Sequence, residues 1–279
     1  MSVYAALLTP FRPDGAIDLK AQVDHARWLA EKGISGLVVF GTTGEGPSLE
    51  LREKLAALEH LFSENPGLRI VPTLMEGNLP STLEGIRAIN DLPAEKVLIL
   101  PPYYYKPLAP QGLQAFFQKV LEASRHPVVL YHIPKYAVPV PPELAGLKGV
   151  WGVKDSGGEK GYADTVLALG RGVWVGTEEN LWEKMRNAQG VVSALANLVP
   201  EALILLWRFK ETGQEEKGKE LDRLLGKIRS QIKAAGSLAT LKRLAEIRHG
   251  IPLGGVRPPL VAQEPPPLGV LSLLKEVIP

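Results

Sequence analysis

Eight apolar runs with β-type composition punctuate the first two-thirds of the chain, at residues 3–8, 36–40, 70–74, 96–100, 128–132, 150–154, 173–176 and 191–194. Each run gives way to Gly, Pro or Thr-rich loop residues. Most are then followed by a stretch in which apolar positions recur every three or four residues, as at 19–32, 49–64, 79–92 and 113–124. Alternation at period two marks a strand with one wet face, and helical spacing marks an amphipathic helix. These runs are apolar nearly throughout, the pattern of parallel strands buried on both faces. Eight β–α repeats in about 200 residues fit a closed (β/α)₈ TIM barrel better than an open doubly wound sheet. No G-x-G-x-x-G follows the first run, which argues against a dinucleotide-binding fold.

The connection at 134–149 is short and proline-rich, with room for one or two helical turns near 142–147. Beyond the eighth run, 201–209, 214–234 and 238–249 read as helices, followed by a proline-rich stretch at 256–267 and a last helix at 268–277. Residues 1–200 are therefore expected to form the barrel that carries the active site. Residues 201–279 supply a barrel-closing helix and a C-terminal helical appendage in the same structural unit, since no Gly/Ser linker separates them.

Composition narrows the chemistry. The 279 residues carry a net charge of +2, which gives no reason to expect nucleic acid or a membrane surface as partner. Cysteine is absent, so disulfides, thiolate metal sites and cysteine nucleophiles are excluded. No stretch reaches the roughly 18 apolar residues that span a bilayer, and the N-terminus lacks the pattern of a signal peptide. A cytoplasmic location is the expectation.

In such barrels the chemistry sits at the carboxyl ends of the strands. There the second run ends in Gly41-Thr42-Thr43-Gly44-Glu45-Gly46, the fourth in Pro101-Pro102-Tyr103-Tyr104-Tyr105, the fifth in Tyr131-His132-Ile133-Pro134 and the sixth in Lys154-Asp155-Ser156. Hydroxyls, phenols and one lysine converge, with no metal-ligating triplet and no carboxylate pair. Alternation puts Val150, Gly152 and Lys154 inside the barrel and Trp151 and Val153 outside. An unpaired buried ammonium is costly, and an amine that sheds its proton in a dry pocket attacks carbonyls. The alternative for Lys154 is a structural ion pair with Asp155 or another carboxylate, and from this residue alone the two readings weigh about equally. Tyr131 is either a proton relay beside that amine or an aromatic core residue. His132 should face the helices. The GTTGEG turn offers hydroxyls and backbone N–H groups as a carboxylate nest, with Ser48 a good cap for the next helix.

Together these segments resemble the dihydrodipicolinate synthase / N-acetylneuraminate lyase family of Schiff-base aldolases. The matching motifs are GTTGE at 41–45, PPYY at 101–104, Tyr131-His132-Ile133-Pro134 for the family's Y-N-x-P, Gly152-Val153-Lys154-Asp155-Ser156 for G-x-K-D/E-x, Gly190-Val191-Val192-Ser193 for G-x-x-S, and Arg257-Pro258-Pro259-Leu260 for R-x-P-L. The resemblance implies that Lys154 forms a Schiff base with pyruvate or another 2-oxo acid. Tyr131 would relay protons with Thr42 and with Tyr104 of a neighbouring subunit. Thr43 and the N–H groups around Gly44 would hold the carboxylate, with the Val192 backbone facing the pyruvate. It further implies a homotetramer and no cofactor or metal beyond the lysine itself.

Two departures bear on the substrate. Dihydrodipicolinate synthases carry an arginine two residues after the Y-N-x-P proline, where this chain has Tyr136, and a phenol cannot replace a bidentate guanidinium. The Asn of that motif is His132. The expected activity is therefore cleavage or formation of a pyruvate-yielding aldol, a 2-keto-3-deoxy sugar acid or a 4-hydroxy-2-oxoglutarate, with Tyr136 at the second substrate. The alternative is dihydrodipicolinate synthase itself, with Lys135, Lys106 or Arg257 supplying the missing cation. A non-catalytic 2-oxo acid binding protein is a remote third.

Overall fold

The computed structural model describes residues 2–261 and 268–277; part of the proline-rich stretch expected at 256–267 lies outside the described residues. Eight parallel strands close into a barrel in sequence order: β1 Val3–Ala6, β2 Gly36–Val39, β3 Arg69–Leu74, β4 Val97–Ile99, β5 Val128–His132, β6 Val150–Asp155, β7 Gly172–Val175 and β8 Gly190–Ser193. Closure runs through β1 and β8, with Val3 opposite Val191. Each strand is buried almost throughout, as near-continuous apolar runs require. The (β/α)₈ barrel expected from the pattern is the fold.

The barrel's outer layer comprises α1 Leu19–Glu31, α2 Leu51–Ser63, α3 Leu79–Ile89, α4 Pro110–Ala123, the short α5 Tyr162–Ala168 and α6 Leu181–Lys184, and α7 Pro200–Glu211. The C-terminal part adds α8 Glu215–Ala234, α9 Leu238–His249 and α10 Leu268–Val277, with α10 packed on α8. α1 shows the local logic: Asp18 caps its start by accepting from Ala21 N, and Ala21, His25, Ala26 and Leu29 form the stripe turned to the barrel. α2 starts later than its sequence suggests. Ser48 lies in a preceding 3₁₀ turn and caps nothing; the cap position belongs to Glu50, whose backbone N–H is taken by Glu53 across the first turn.

Two apolar clusters result. One fills the barrel interior with Tyr4, Val38, Val71, Leu98, Val129, Tyr131, Trp174 and Val192, and the other lies between strands and helices. β6 departs from simple alternation. Its pairing with β5 shifts between Val128 and Val129, so Val150 pairs with Val128 while Gly152 pairs with Val129. Trp151 is the extra residue of this bulge. It turns onto the interior cluster against Trp174, ring centroids 4.7 Å apart, whereas Val150 joins the outer cluster. The inward face assigned to Val150 and the outward face assigned to Trp151 are thus reversed. Past the bulge the alternation holds, with Val153 outside and Lys154 inside. Gly152 leaves no room for a side chain, because a Cβ there would lie 2.0 Å from the Gly172 carbonyl oxygen. It is glycine so that β6 and β7 can meet.

Candidate active site

Register brings Lys154 on β6 directly beside Tyr131 on β5. Both are buried, and the Lys154 Nζ stands 3.8 Å from the centroid of the Tyr131 ring. Among the described residues no carboxylate lies within ion-pair distance of Lys154. Asp155, its expected structural partner, faces the other way and accepts the N–H groups of Gly157 and Gly158 through Oδ1 at 2.9 and 3.1 Å. The lysine is therefore not half of a structural salt bridge.

The Tyr131 phenol is pulled two ways. Burial pushes it up, but the charge of Lys154 and the hydrogen bond with Thr42 outweigh that and bring it below the ordinary tyrosine value. The Thr42 hydroxyl stands 3.2 Å from the phenol oxygen. Amine, phenol and threonine hydroxyl thus form a chain along which a proton can pass. Ser156, which the sequence placed at a strand end without a role, donates its hydroxyl to the Gly176 carbonyl at 3.1 Å.

The 41–46 turn is built tightly around its glycines. A Cβ at Gly44 would lie 2.8 Å from the Leu7 carbonyl oxygen, and one at Gly46 would lie 2.0 Å from that of Phe40. Phe40 and Glu45 flank the turn in left-handed backbone, φ 61° and 55°, a conformation that costs a side-chain-bearing residue of order 1 kcal/mol or more. Long-range ties hold it there. Thr9 Oγ1 donates to the Gly44 carbonyl at 2.6 Å. The Glu45 side chain is wholly buried, with Oε2 accepting from Arg257 N at 3.0 Å and Oε1 2.7 Å from Lys242 Nζ. That contact is an ion pair off the hydrogen-bonding direction; the aligned bond of Lys242 goes to the Gly255 carbonyl. Glu45 and Gly46 spend their own N–H groups inside the turn, on Thr42 O and Gly41 O. The backbone N–H groups of Thr42, Thr43 and Gly44 bond to nothing else among the described residues, which leaves them for an anion.

Val192 stands on β8, its side chain in the interior cluster. The turn after it is braced by Glu178, a residue the sequence reading passed over. Its Oε1 accepts from Ser193 Oγ, Ala194 N and Leu195 N at 2.8, 2.8 and 3.2 Å, while Oε2 pairs with Arg229 on α8. The only local sign of Glu178 was its place after the end of the seventh run.

The remaining expected site residues stand apart from this cluster. Tyr104 is 82% exposed, its ring against the edge of Tyr105. Tyr136 is half exposed on the turn after β5, with the Lys135 ammonium 4.9 Å from its ring centroid. Lys106 donates to the Pro134 carbonyl at 2.6 Å. Arg257 spends its guanidinium on Glu53, Gly15 O and Ser48 O, so it cannot supply a substrate clamp.

His132, Asp155 and Glu159 bring ligand-type atoms within 4.8 Å of one another. The histidine is already committed, however. Its Nδ1 accepts from Val140 N at 3.2 Å, so the proton of the neutral ring sits on Nε2 and is donated to Glu159 Oε2 at 2.8 Å. Coordination through Nε2 would require a proton on Nδ1, against the Val140 N–H. The outward direction expected for His132 is observed. Among the described residues no helix is long and apolar enough to cross a membrane.

Residues 1–266 match the model of the dihydrodipicolinate synthetase family. The chain is 30% identical to the 4-hydroxy-tetrahydrodipicolinate synthase of Corynebacterium diphtheriae over 270 residues, covering 94% of this chain and 89% of that one. It is 32% identical over 274 residues to an uncharacterized DapA-like lyase of Pyrococcus abyssi, covering 93% and 92%. Among solved structures, a variant of the 2-keto-3-deoxygluconate aldolase of Sulfolobus solfataricus in complex with pyruvate superposes with a TM-score of 0.87 at 25% identity, covering 99% of this chain and 95% of the other. The chain belongs to the dihydrodipicolinate synthetase family, and it is a lyase of the aldolase type.

Proposed function

We propose that this enzyme is a Schiff-base lyase that cleaves or forms a 2-keto-3-deoxy sugar acid or a 4-hydroxy-2-oxoglutarate, with pyruvate as the fixed half of the reaction. The observation that carries it is the buried Lys154, set against the Tyr131 ring with no carboxylate in ion-pair distance among the described residues. Its amine attacks the C2 carbonyl, Tyr131 passes a proton to the departing oxygen, and water leaves to give the iminium. The iminium draws the electron pair of the C3–C4 bond, the C4 hydroxyl gives its proton to Tyr131, and the aldehyde departs. The enamine takes a proton at C3, and hydrolysis frees pyruvate and the lysine. Lys154 is thus its own electron sink, so the reaction asks for no cofactor.

In this reading the N–H groups of Thr42, Thr43 and Gly44 bind the carboxylate, Thr42 extends the relay, the Val192 backbone faces the pyruvate, and Tyr136 meets the aldehyde end. Tyr104 acts on the partner subunit's site in a homotetramer; the exposed Tyr103–Tyr105 aromatics support such an interface, since tyrosine is favoured there. The second reading, 4-hydroxy-tetrahydrodipicolinate synthase, is favoured by the name of the Corynebacterium relative and by Lys135 beside Tyr136. The commitment of Arg257 elsewhere weighs against it.

Borohydride reduction in the presence of pyruvate, followed by peptide mass mapping, tests the lysine. A pyruvyl adduct on Lys154, lost in Lys154→Ala, is expected. No adduct, with Lys154→Ala binding pyruvate as well as the parent, refutes the lyase. Cleavage of 2-keto-3-deoxygluconate is expected to outpace condensation of pyruvate with aspartate semialdehyde; the reverse order selects the second reading.

A further inference from the structure

Two loops stand at the mouth of the barrel, 133–140 after β5 and 156–161 after β6. Neither loop belongs to a strand, yet both are tied to one side chain. His132, the residue after Tyr131, turns outward and takes the Val140 N–H on Nδ1, which anchors the first loop. Its Nε2 proton goes to Glu159, which anchors the second. The imidazole stacks on Tyr162, centroids 3.9 Å apart and planes 20° from parallel. The Tyr162 hydroxyl in turn donates to the Val140 carbonyl at 2.8 Å, so both polar groups of Val140 are held from the same side. The second loop runs hard against this junction: a Cβ at Gly157 would lie 2.2 Å from Glu159 Oε2 and 2.6 Å from His132 Nε2. The glycine exists because the His132–Glu159 bond occupies the space of its side chain.

We propose that His132, clasped by Glu159 and Tyr162, is a positioning residue for the aldehyde half of the reaction. It holds the 156–161 loop and the Lys135-Tyr136 turn over the outer mouth, while the pyruvate half rests on Lys154, Tyr131 and the 41–46 turn, which the clasp does not touch. This inference rests on the lyase reading above. It predicts a division between the substrates that a merely stabilising contact would not produce.

The test is two-substrate kinetics in the synthetic direction, pyruvate against D-glyceraldehyde, on the parent, Glu159→Ala, Glu159→Gln and Tyr162→Phe. Glu159 is half exposed, so its loss leaves the core intact. In Glu159→Ala the KM for glyceraldehyde is expected to rise about tenfold with the KM for pyruvate unchanged, the scale on which a loosened positioning group acts. Borohydride trapping of pyruvate should proceed as in the parent. Glu159→Gln, whose amide oxygen still accepts the Nε2 proton, should recover most of the loss, and Tyr162→Phe should show the same selectivity in milder form. Equal changes in both KM values, or none in either, overturn the proposal. A parent that traps pyruvate but shows no such split in Glu159→Ala refutes the clasp alone, and a parent that traps no pyruvate refutes the lyase reading beneath it.

Discussion

The barrel's closing seam carries an acid-labile group whose effect can be worked out in advance. His25 on α1 is fully buried and donates from Nε2 to Asn197 Oδ1 at 2.9 Å. The orientation of that amide is set independently, because Asn197 Nδ2 donates to the Ala6 and Ala194 carbonyls at 2.7 and 2.9 Å, so Oδ1 must face His25 and Leu8 N. Asn197 thereby sews the end of β1 to the turn after β8, and His25 backs it. Around the imidazole stand His249, 4.9 Å away between ring centroids, and Trp28, with Arg248 beyond, paired to Glu201, which also holds Lys32. Burial outweighs the Asn197 bond and lowers His25 from 6.5 to about 4. The unfolded chain takes up a proton near pH 6.5 and the folded one resists until about pH 4, so the stability is fully present above 6.5 and drains away as pH falls through that window. The difference converts to about 3 kcal/mol. His25→Gln keeps a donor for Asn197 but does not titrate. It should cost about 1–2 kcal/mol at pH 7.5 through lost packing, and then close the gap and overtake the parent as pH approaches 4. Urea unfolding of both proteins between pH 7.5 and 4.5, at one protein concentration, measures the difference; the carboxylates that also lose stability in acid are common to both and cancel. Parallel stability lines for parent and variant would refute the reasoning.

Two further outcomes follow from the site. Tyr131→Phe keeps the ring beneath Lys154 but deletes the hydroxyl shared with Thr42, so kcat for aldol cleavage should drop about 10²–10⁴-fold, the range of a general acid–base group, with pyruvate trapping slowed and the circular dichroism unchanged; a loss under threefold rules out the relay. Glu45→Gln leaves the Lys242 ammonium buried beside a neutral partner, at a cost of about 3–5 kcal/mol, and a melting point lower by about 10 °C should appear in calorimetry; a shift under 2 °C would show that the pair does not hold the 41–46 turn.

The two halves of the site differ in how far their sequence announces them. The inner half hangs on strand ends. Once eight buried parallel strands are recognised, closure puts Tyr131 beside Lys154 and Thr42 near both, because neighbouring strands in a barrel have fixed spacing and alternate faces. Even there alternation misleads before the bulge: Trp151 turns inward and Val150 outward, for one inserted residue reverses every face up to it. No run of apolar residues records an insertion; only Gly152, required by the approach to Gly172, marks the spot. The polar braces were illegible for another reason. Glu45 reaches Arg257 N across 212 residues and Asn197 reaches Leu8 N across 189, and spacing along the chain cannot pair groups so far apart. Ser48 was misread through competition, since a serine two residues early loses the cap position when Glu50 and Glu53 can bridge the first turn themselves. The outer mouth combines both difficulties: its loops have no periodicity, and their fixation runs through His132, a residue whose sequence neighbours give it only a direction.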